Sequence, residues 1–151
     1  MDISLKLGTD NFLKTQLTSA DTLLKPLLVS NGDHLLIKEL TTSGDYRNLQ
    51  GDLDLSKDLY LLVYIKLNNE QISIFEDKVY NKFDEFVEKD NQPAIFQKRA
   101  DFNEYLLINS FSHQEDLGLW KDQIKSLIEN GIQAVSNEPL KFFTKAYQKE
   151  L

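Results

Sequence analysis

The chain predicts an α+β fold, with a β-α-β-β-α-β unit over residues 58–151 and a β-rich extension over residues 1–57. Three features of the sequence lead there. The run 59–67 (LYLLVYIKL) is apolar on both faces, which is the pattern of a strand buried on two sides. Immediately after it, Ile72, Phe75, Val79, Phe83, Phe86 and Val87 recur at helical spacing with charged residues between them. Past Pro93 come two short alternating runs, a second amphipathic run and a closing alternation. That order is the split βαβ arrangement of ferredoxin-like domains.

In chain order, Ile3, Leu5 and Leu7 alternate with polar residues and predict a first strand. Phe12 to Leu17 gives a second, weaker alternation. Residues 23–29 are apolar but interrupted by Pro26, which suits an edge strand or a bulge. Asn31-Gly32-Asp33 is a hairpin signal, because Asn and Gly tolerate positive φ, and 34–40 returns as its partner. Residues 41–57 lose the pattern and read as a surface loop. In the first long helix, 68–89, Asn68 and Gln71 have capping-box spacing, and Leu67 and Ile72 are placed as a hydrophobic staple. Asp90-Asn91-Gln92-Pro93 stops it.

Residues 94–99 and 104–111 predict two strands joined by a turn at 100–103. Ser112 with Glu115 predicts the capped start of a helix from His113, with Leu117, Trp120, Ile124, Leu127 and Ile128 as its buried stripe. Asn130-Gly131 reads as its stop, 132–137 as one short helical turn, and 140–147 as the last strand. No repeat of solenoid length and no low-complexity segment is visible.

At 151 residues, with 41% hydrophobic and 27% charged residues, the chain is long enough for a proper core and ordinary for a globular domain. A formal net charge of −7 argues against a nucleic-acid footprint, which needs a basic stripe. With no cysteine there is no disulfide framework, thiolate nucleophile or Cys-bound metal. The start, MDISLKLGTD, does not read as a signal peptide, and no apolar run reaches the length of a membrane span. The expected location is the cytoplasm.

Motifs for nucleophilic hydrolysis, phosphate-binding loops, dinucleotide binding and zinc hydrolysis are absent. The candidate ligand-pocket residues are therefore aromatic and apolar: Trp120, Tyr64, Ile65, Phe75, Phe83 and Phe111, with Asn109 and His113 as polar members and Tyr105 and Phe143 as further aromatics around the same space. A core aromatic is the plainer reading of Trp120, and a solvent-exposed first-turn residue that of His113. His34, after its turn, reads as surface. Arg99 joins Asn109 as a strand residue that needs a partner or a ligand if buried. The carboxylate pairs Glu115-Asp116 and Asp84-Glu85 fall on solvated helix faces. No metal site is expected. Because Leu61, Val63 and Ile65 alternate with Leu62 and Tyr64, both sheet faces are apolar, and helices cover only one. A homodimer through the other face is the expected remedy, the alternative being that the N-terminal strands cover that face within one chain.

With LYLLVYIKL, the long first helix, the pair AIFQKR and EYLLINSF, and a helix bearing one tryptophan, the sequence resembles the antibiotic-biosynthesis-monooxygenase superfamily. LGTDNFLKTQL followed by HLLIKEL resembles its branch of TRAP-like and two-part heme-degrading proteins of Gram-positive bacteria. The resemblance implies a dimeric α/β-barrel, two four-stranded sheets meeting with helices outside. The heme-degrading members use an asparagine on the first strand, with a tryptophan and a heme-ligating histidine on the second helix. Trp120 matches the tryptophan. The asparagine falls at Tyr64 or Ile65 and the histidine at Glu129 or Asn130, so both are replaced. Neither replacement offers heme an imidazole. The resulting expectation is a dimeric module that binds a small apolar or aromatic molecule, or regulates, without cofactor or heme degradation. The alternatives are a monooxygenase acting on heme or a small aromatic substrate, and a purely structural dimer.

Overall fold

Leu59–Lys66 is the strand on which the molecule is built, and its two apolar faces meet two different cores. In the computed structural model, which describes residues 1–27, 32–41, 43–77, 93–132 and 141–150, the strands are β1 (Asp2–Gly8), β2 (Thr22–Pro26), β3 (His34–Leu40), β4 (Tyr46–Gln50), β5 (Leu59–Lys66), β6 (Ala94–Lys98), β7 (Glu104–Phe111) and β8 (Lys141–Lys149). The helices are α1 (Asp10–Gln16), α2 (Asn69–Phe75) and α3 (Gln114–Ser126), the last continued by a π-helical turn over Leu127–Ile132. The strands close a barrel in the order β1-β3-β2-β8-β5-β7-β6-β4. Leu61, Val63 and Ile65 face the helices with Phe75, Trp120, Ile124 and Ile128. Tyr60 and Leu62 face the barrel interior with Ile3, Leu24, Leu35, Ile37, Phe96 and Ile108.

The pairing has an internal two-fold logic. From Leu59 onward the neighbours run β8-β5-β7-β6, and in residues 1–50 they run β4-β1-β3-β2, so each half places its four strands in the same order. The equivalent pairs are antiparallel in both halves, and β2–β8 and β4–β6 are the two seams. α1 joins β1 to β2 as α2 stands between β5 and β6. Between β3 and β4 the chain is too short for a counterpart of α3. The repeat lies in the pairing scheme and leaves no repeat in the sequence.

The predicted sheet is thus half of a barrel closed within one chain. The face for which a partner subunit was expected is covered by Ile3, Leu24, Leu35 and Ile37 of the extension, so its burial does not require a second copy. Among the described residues no helix is long and apolar enough to cross a membrane.

Several local readings change. Residues 12–16 lie in helix α1, with Leu17 as its C-cap: Thr9 Oγ1 accepts the Phe12 N–H at 3.2 Å, and Leu13 alone is buried, packed with Leu23 and Leu36. Six residues of alternation were too few to outweigh that cap. The expected loop 41–57 contains β4, whose polar sequence YRNLQ hides a strand closing the barrel between β1 and β6. α3 starts one residue later than expected, with His113 at the N-cap and no side-chain cap bond, so the Ser112–Glu115 box is not made. Asn130-Gly131 does not stop the helix, because the π-helical turn runs through to Ile132. β6 ends at Lys98, and β8 extends to Lys149. The Asn68–Gln71 capping box is present in full, with Gln71 N–H to Asn68 Oδ1 at 2.8 Å and Asn68 N–H to Gln71 Oε1 at 3.0 Å. Val79, Phe83, Phe86, Val87, the Asp84-Glu85 pair, the stop at 90–92, Val29, Asn31 and the turn 133–137 lie outside the described residues.

Candidate functional site

Strand register assembles a cavity at one end of the barrel. Lys66 lies directly opposite Glu104 on β7 and Lys141 on β8, and Tyr64 lies opposite Phe143. Directly opposed residues share a face, and this face is the one carrying Leu62 and Tyr60 into the barrel. Lys98, at the end of β6, lies opposite Tyr46 at the start of β4. These ends meet at one mouth of the barrel around a cavity of about 470 Å³, lined by Tyr46, Tyr64, Ile65, Tyr105 and Phe143 with Lys66, Lys98, Glu104 and Lys141. A second lobe of about 480 Å³ shares Tyr46, Tyr64 and Lys98 and runs on to Leu5, Leu7, Leu35, Gly44 and Arg99.

The floor of the mouth is aromatic. Tyr64 and Phe143 stack with centroids 4.7 Å apart and planes 15° apart, although Phe143 is 54% exposed. An exposed ring held in a stack beside a cavity offers an apolar ligand a ready face. Burial pushes the Tyr64 phenol well above its ordinary range, reinforced by the neighbouring Tyr147 and Tyr46. Burial also raises Tyr46, against the opposing pull of Lys98. The Glu104 carboxylate bonded to Lys98 raises that ammonium's pKa. At neutral pH both these phenols are therefore neutral and Lys98 is charged. Among the described residues, the titratable groups lining the two lobes are Tyr46, Tyr64, Tyr105, Asp45, Glu104, Lys66, Lys98, Lys141 and Arg99.

Tyr64 and Ile65 of the sequence-predicted pocket residues line this mouth. Trp120, Phe111, Phe75 and Asn109 belong to the layer between α3 and the sheet. Trp120 packs against Phe111 at 6.1 Å between ring centroids, and Phe75 against Tyr105 at 4.8 Å. All are buried, and Trp120 lies within the hydrophobic cluster between α3 and the sheet. Two donors in this layer have no acceptor: Trp120 Nε1 and Asn109 Nδ2. Asn109 Oδ1 accepts the Ser110 N–H at 2.9 Å. His113 is exposed at the start of α3, and Phe83 lies outside the described residues. Arg99 is bonded to Asp2 at the rim of the second lobe. Phe143 and Tyr105, two of the aromatics the sequence sets around the pocket, line the mouth, whereas sequence reasoning missed Tyr46 and the lysines. A signal for the lysines lay in the final strand, where Lys141, Phe143 and Lys145 alternate on one face.

His34 is not simply surface. Its Nε2 lies 3.1 Å from Glu150 Oε2, and Asp10, His34 and Glu150 bring potential ligand atoms within 4.8 Å of one another. Lys14 already supplies a cation there, 2.9 Å from Asp10 and 3.6 Å from Glu150. The cluster is a polar network tying the end of the chain's last strand to α1 and β3.

No protein-family model matches the chain, and no curated protein matches it. Solved structures do. An uncharacterized ferredoxin-fold protein related to antibiotic biosynthesis monooxygenases, from Listeria monocytogenes, is 20% identical with a TM-score of 0.69, over 99% of this chain and 94% of that one. A heme-degrading enzyme from Listeria monocytogenes is 21% identical with a TM-score of 0.68, over 98% and 99%. A major regulator of staphylococcal pathogenesis is 12% identical with a TM-score of 0.72, over 96% of each chain. The chain thus has the fold of ferredoxin-fold proteins related to antibiotic biosynthesis monooxygenases, and the resemblance read from its sequence holds at that level.

Proposed function

We propose that this chain is a small-molecule-binding module on the monooxygenase-like fold, that it takes its ligand at the barrel mouth, and that it does not degrade heme. The cavity under the Tyr64–Phe143 stack carries this reading: it has the size of a drug-like ligand site and combines an aromatic floor with phenol, ammonium and carboxylate groups in its lining. Against heme stands the chemistry of the donor set. Ile65 is apolar and packed in the helix layer, while Glu129 and Asn130 are exposed on the π-helical turn. Among the described residues the helix–sheet layer holds no histidine, and Ile65, Phe111 and Trp120 fill it. The residues present do not fit a ligated heme.

A second reading, oxygen chemistry on a small aromatic substrate, draws on the unpaired donors Trp120 Nε1 and Asn109 Nδ2, which an acceptor-bearing ligand between α3 and the sheet would satisfy. The two readings separate by titration with the neutral fluorophore N-phenylnaphthylamine. Saturable binding weakened by Phe143→Ala and unchanged by Trp120→Phe supports the mouth, and the reverse pattern supports the layer. Hemin titration followed in the Soret region tests the remaining point. A one-per-chain shift that bleaches under reductant would restore heme degradation.

A further inference from the structure

We propose that the mouth selects an aromatic molecule bearing an anionic group, with its ring against Tyr64 and Phe143 and its charge among Lys66, Lys98 and Lys141. This rests on the mouth being the ligand site and adds the charge of the ligand.

The mouth inverts the charge of the chain. The protein carries a formal net charge of −7, yet among the described residues the cavity is lined by three lysines and a single carboxylate, Glu104. Register makes this unavoidable, since Lys66 and Lys141 are directly opposite one another across β5 and β8 and point the same way. Glu104 is divided between two of the ammonium groups: Oε2 lies 3.1 Å from Lys98 and Oε1 3.9 Å from Lys66. Lys66 also reaches Asp101 only at 3.8 Å. Among the described residues Lys141 forms no ion pair. A further ammonium, that of Lys145, sits 5.8 Å from the Phe143 ring centroid.

Exposed lysines alone would select nothing, because each is well hydrated. Here they surround a cavity of about 470 Å³ whose floor is a pre-stacked aromatic pair. A ring bound on that floor displaces water around the ammonium groups, which strengthens their attraction for an attached anion. It also relieves the repulsion between like charges held on one face. Arg99, in the adjoining lobe, is committed to Asp2 and does not contribute. Glu104 keeps Lys98 charged through neutral pH.

The test compares two probes of nearly the same shape, anilinonaphthalene sulfonate and the neutral N-phenylnaphthylamine. The sulfonate is expected to bind about tenfold more tightly at low salt, equivalent to about 1.4 kcal/mol, and the advantage should shrink as salt screens the charges. The triple variant Lys66→Gln, Lys98→Gln, Lys141→Gln should lose that advantage, read as the ratio of the two probes' affinities, while keeping its circular-dichroism spectrum. Naphthoate and naphthyl phosphate, used as competitors, distinguish a carboxylate from a phosphate as the preferred anion. Displacement by neither overturns the proposal. Equal affinity for the two probes, or a preference that survives the triple variant, also overturns it and leaves the mouth as a site for neutral ligands. If neither probe binds, the mouth is not the ligand site and both readings fall.

Discussion

A Cβ placed on Gly44 would lie 2.8 Å from Asp2 Cβ and 2.8 Å from the Ile3 carbonyl oxygen, so the turn into β4 lies directly on β1. Gly44→Ala must push that backbone away and should cost about 1–3 kcal/mol, as overpacking does. Chemical denaturation measures it, and an unchanged midpoint would mean that the approach is looser. Asn109 makes the opposite case. Its buried amide nitrogen lacks an acceptor, an omission worth about 1–3 kcal/mol. Asn109→Leu removes that donor but also the Oδ1 that accepts the Ser110 N–H at 2.9 Å, so the two effects oppose and stability in the same assay should shift by no more than about 1 kcal/mol, while loss of probe binding in that variant would assign Asn109 to a ligand. Asp2 is as local, but its effect is read in pH. Its bond to Arg99 holds the carboxyl below its ordinary value of 3.8, helped by the Asn48 N–H and opposed by burial. A depressed folded pKa contributes stability that is present above 3.8 and lost as pH falls through the lower folded value. Arg99→Gln should flatten that acid limb and leave neutral-pH binding of a neutral probe unaltered.

Among the elements, β4 is the one its own residues conceal. Tyr46 and Leu49 are its only large apolar residues, and a register shift between Asn48 and Gln50 breaks its alternation. Asn48 takes up the bulge: its side-chain amide donates to the Gly51 carbonyl at 3.0 Å and the Ile95 carbonyl at 3.4 Å, while its N–H reaches Asp2 Oδ1 at 3.3 Å. Asn48→Ala should cost about 1–3 kcal/mol by leaving those carbonyls unpaired, and hydrogen exchange should speed up first along β4 and β6. Protection lost uniformly over the barrel would contradict this assignment. The elements legible in the sequence are those with long periods or complete caps: β5 with two apolar faces, the start of α2 with both capping-box bonds, and α3 with its stripe. β4 and α1 were not legible, because a short segment shows its period only once its neighbours are known. For the same reason the mouth was half visible. Tyr64 lies on a strand that stands out, whereas Phe143 and Lys141 matter only through a register with Tyr64 and Lys66 that no single segment encodes.

The whole molecule combines two four-stranded halves that repeat one pairing scheme, sharing an interior to which both contribute apolar side chains. The sequence displayed one half plainly and left the other as a vague β-rich extension, since the shortened half has no counterpart to α3 and little periodicity. Closure within the chain removes the apolar face that called for a partner, so light scattering should return a mass near 17.5 kDa. A mass twice that would place a dimer on some other surface. Closure also concentrates strand ends at a mouth, which is where the wall of a barrel runs out and a cavity opens. The ligand site is thus expected away from the helix layer where Trp120 first drew attention. The most direct measurement is amide chemical-shift perturbation with a bound aromatic anion. Shifts concentrated at Tyr46, 64–66, Lys98, Glu104 and 141–143 are the expected result. Shifts concentrated at 109–111 and along 117–128, with the mouth unmoved, would contradict the assignment and return the site to the layer beneath α3.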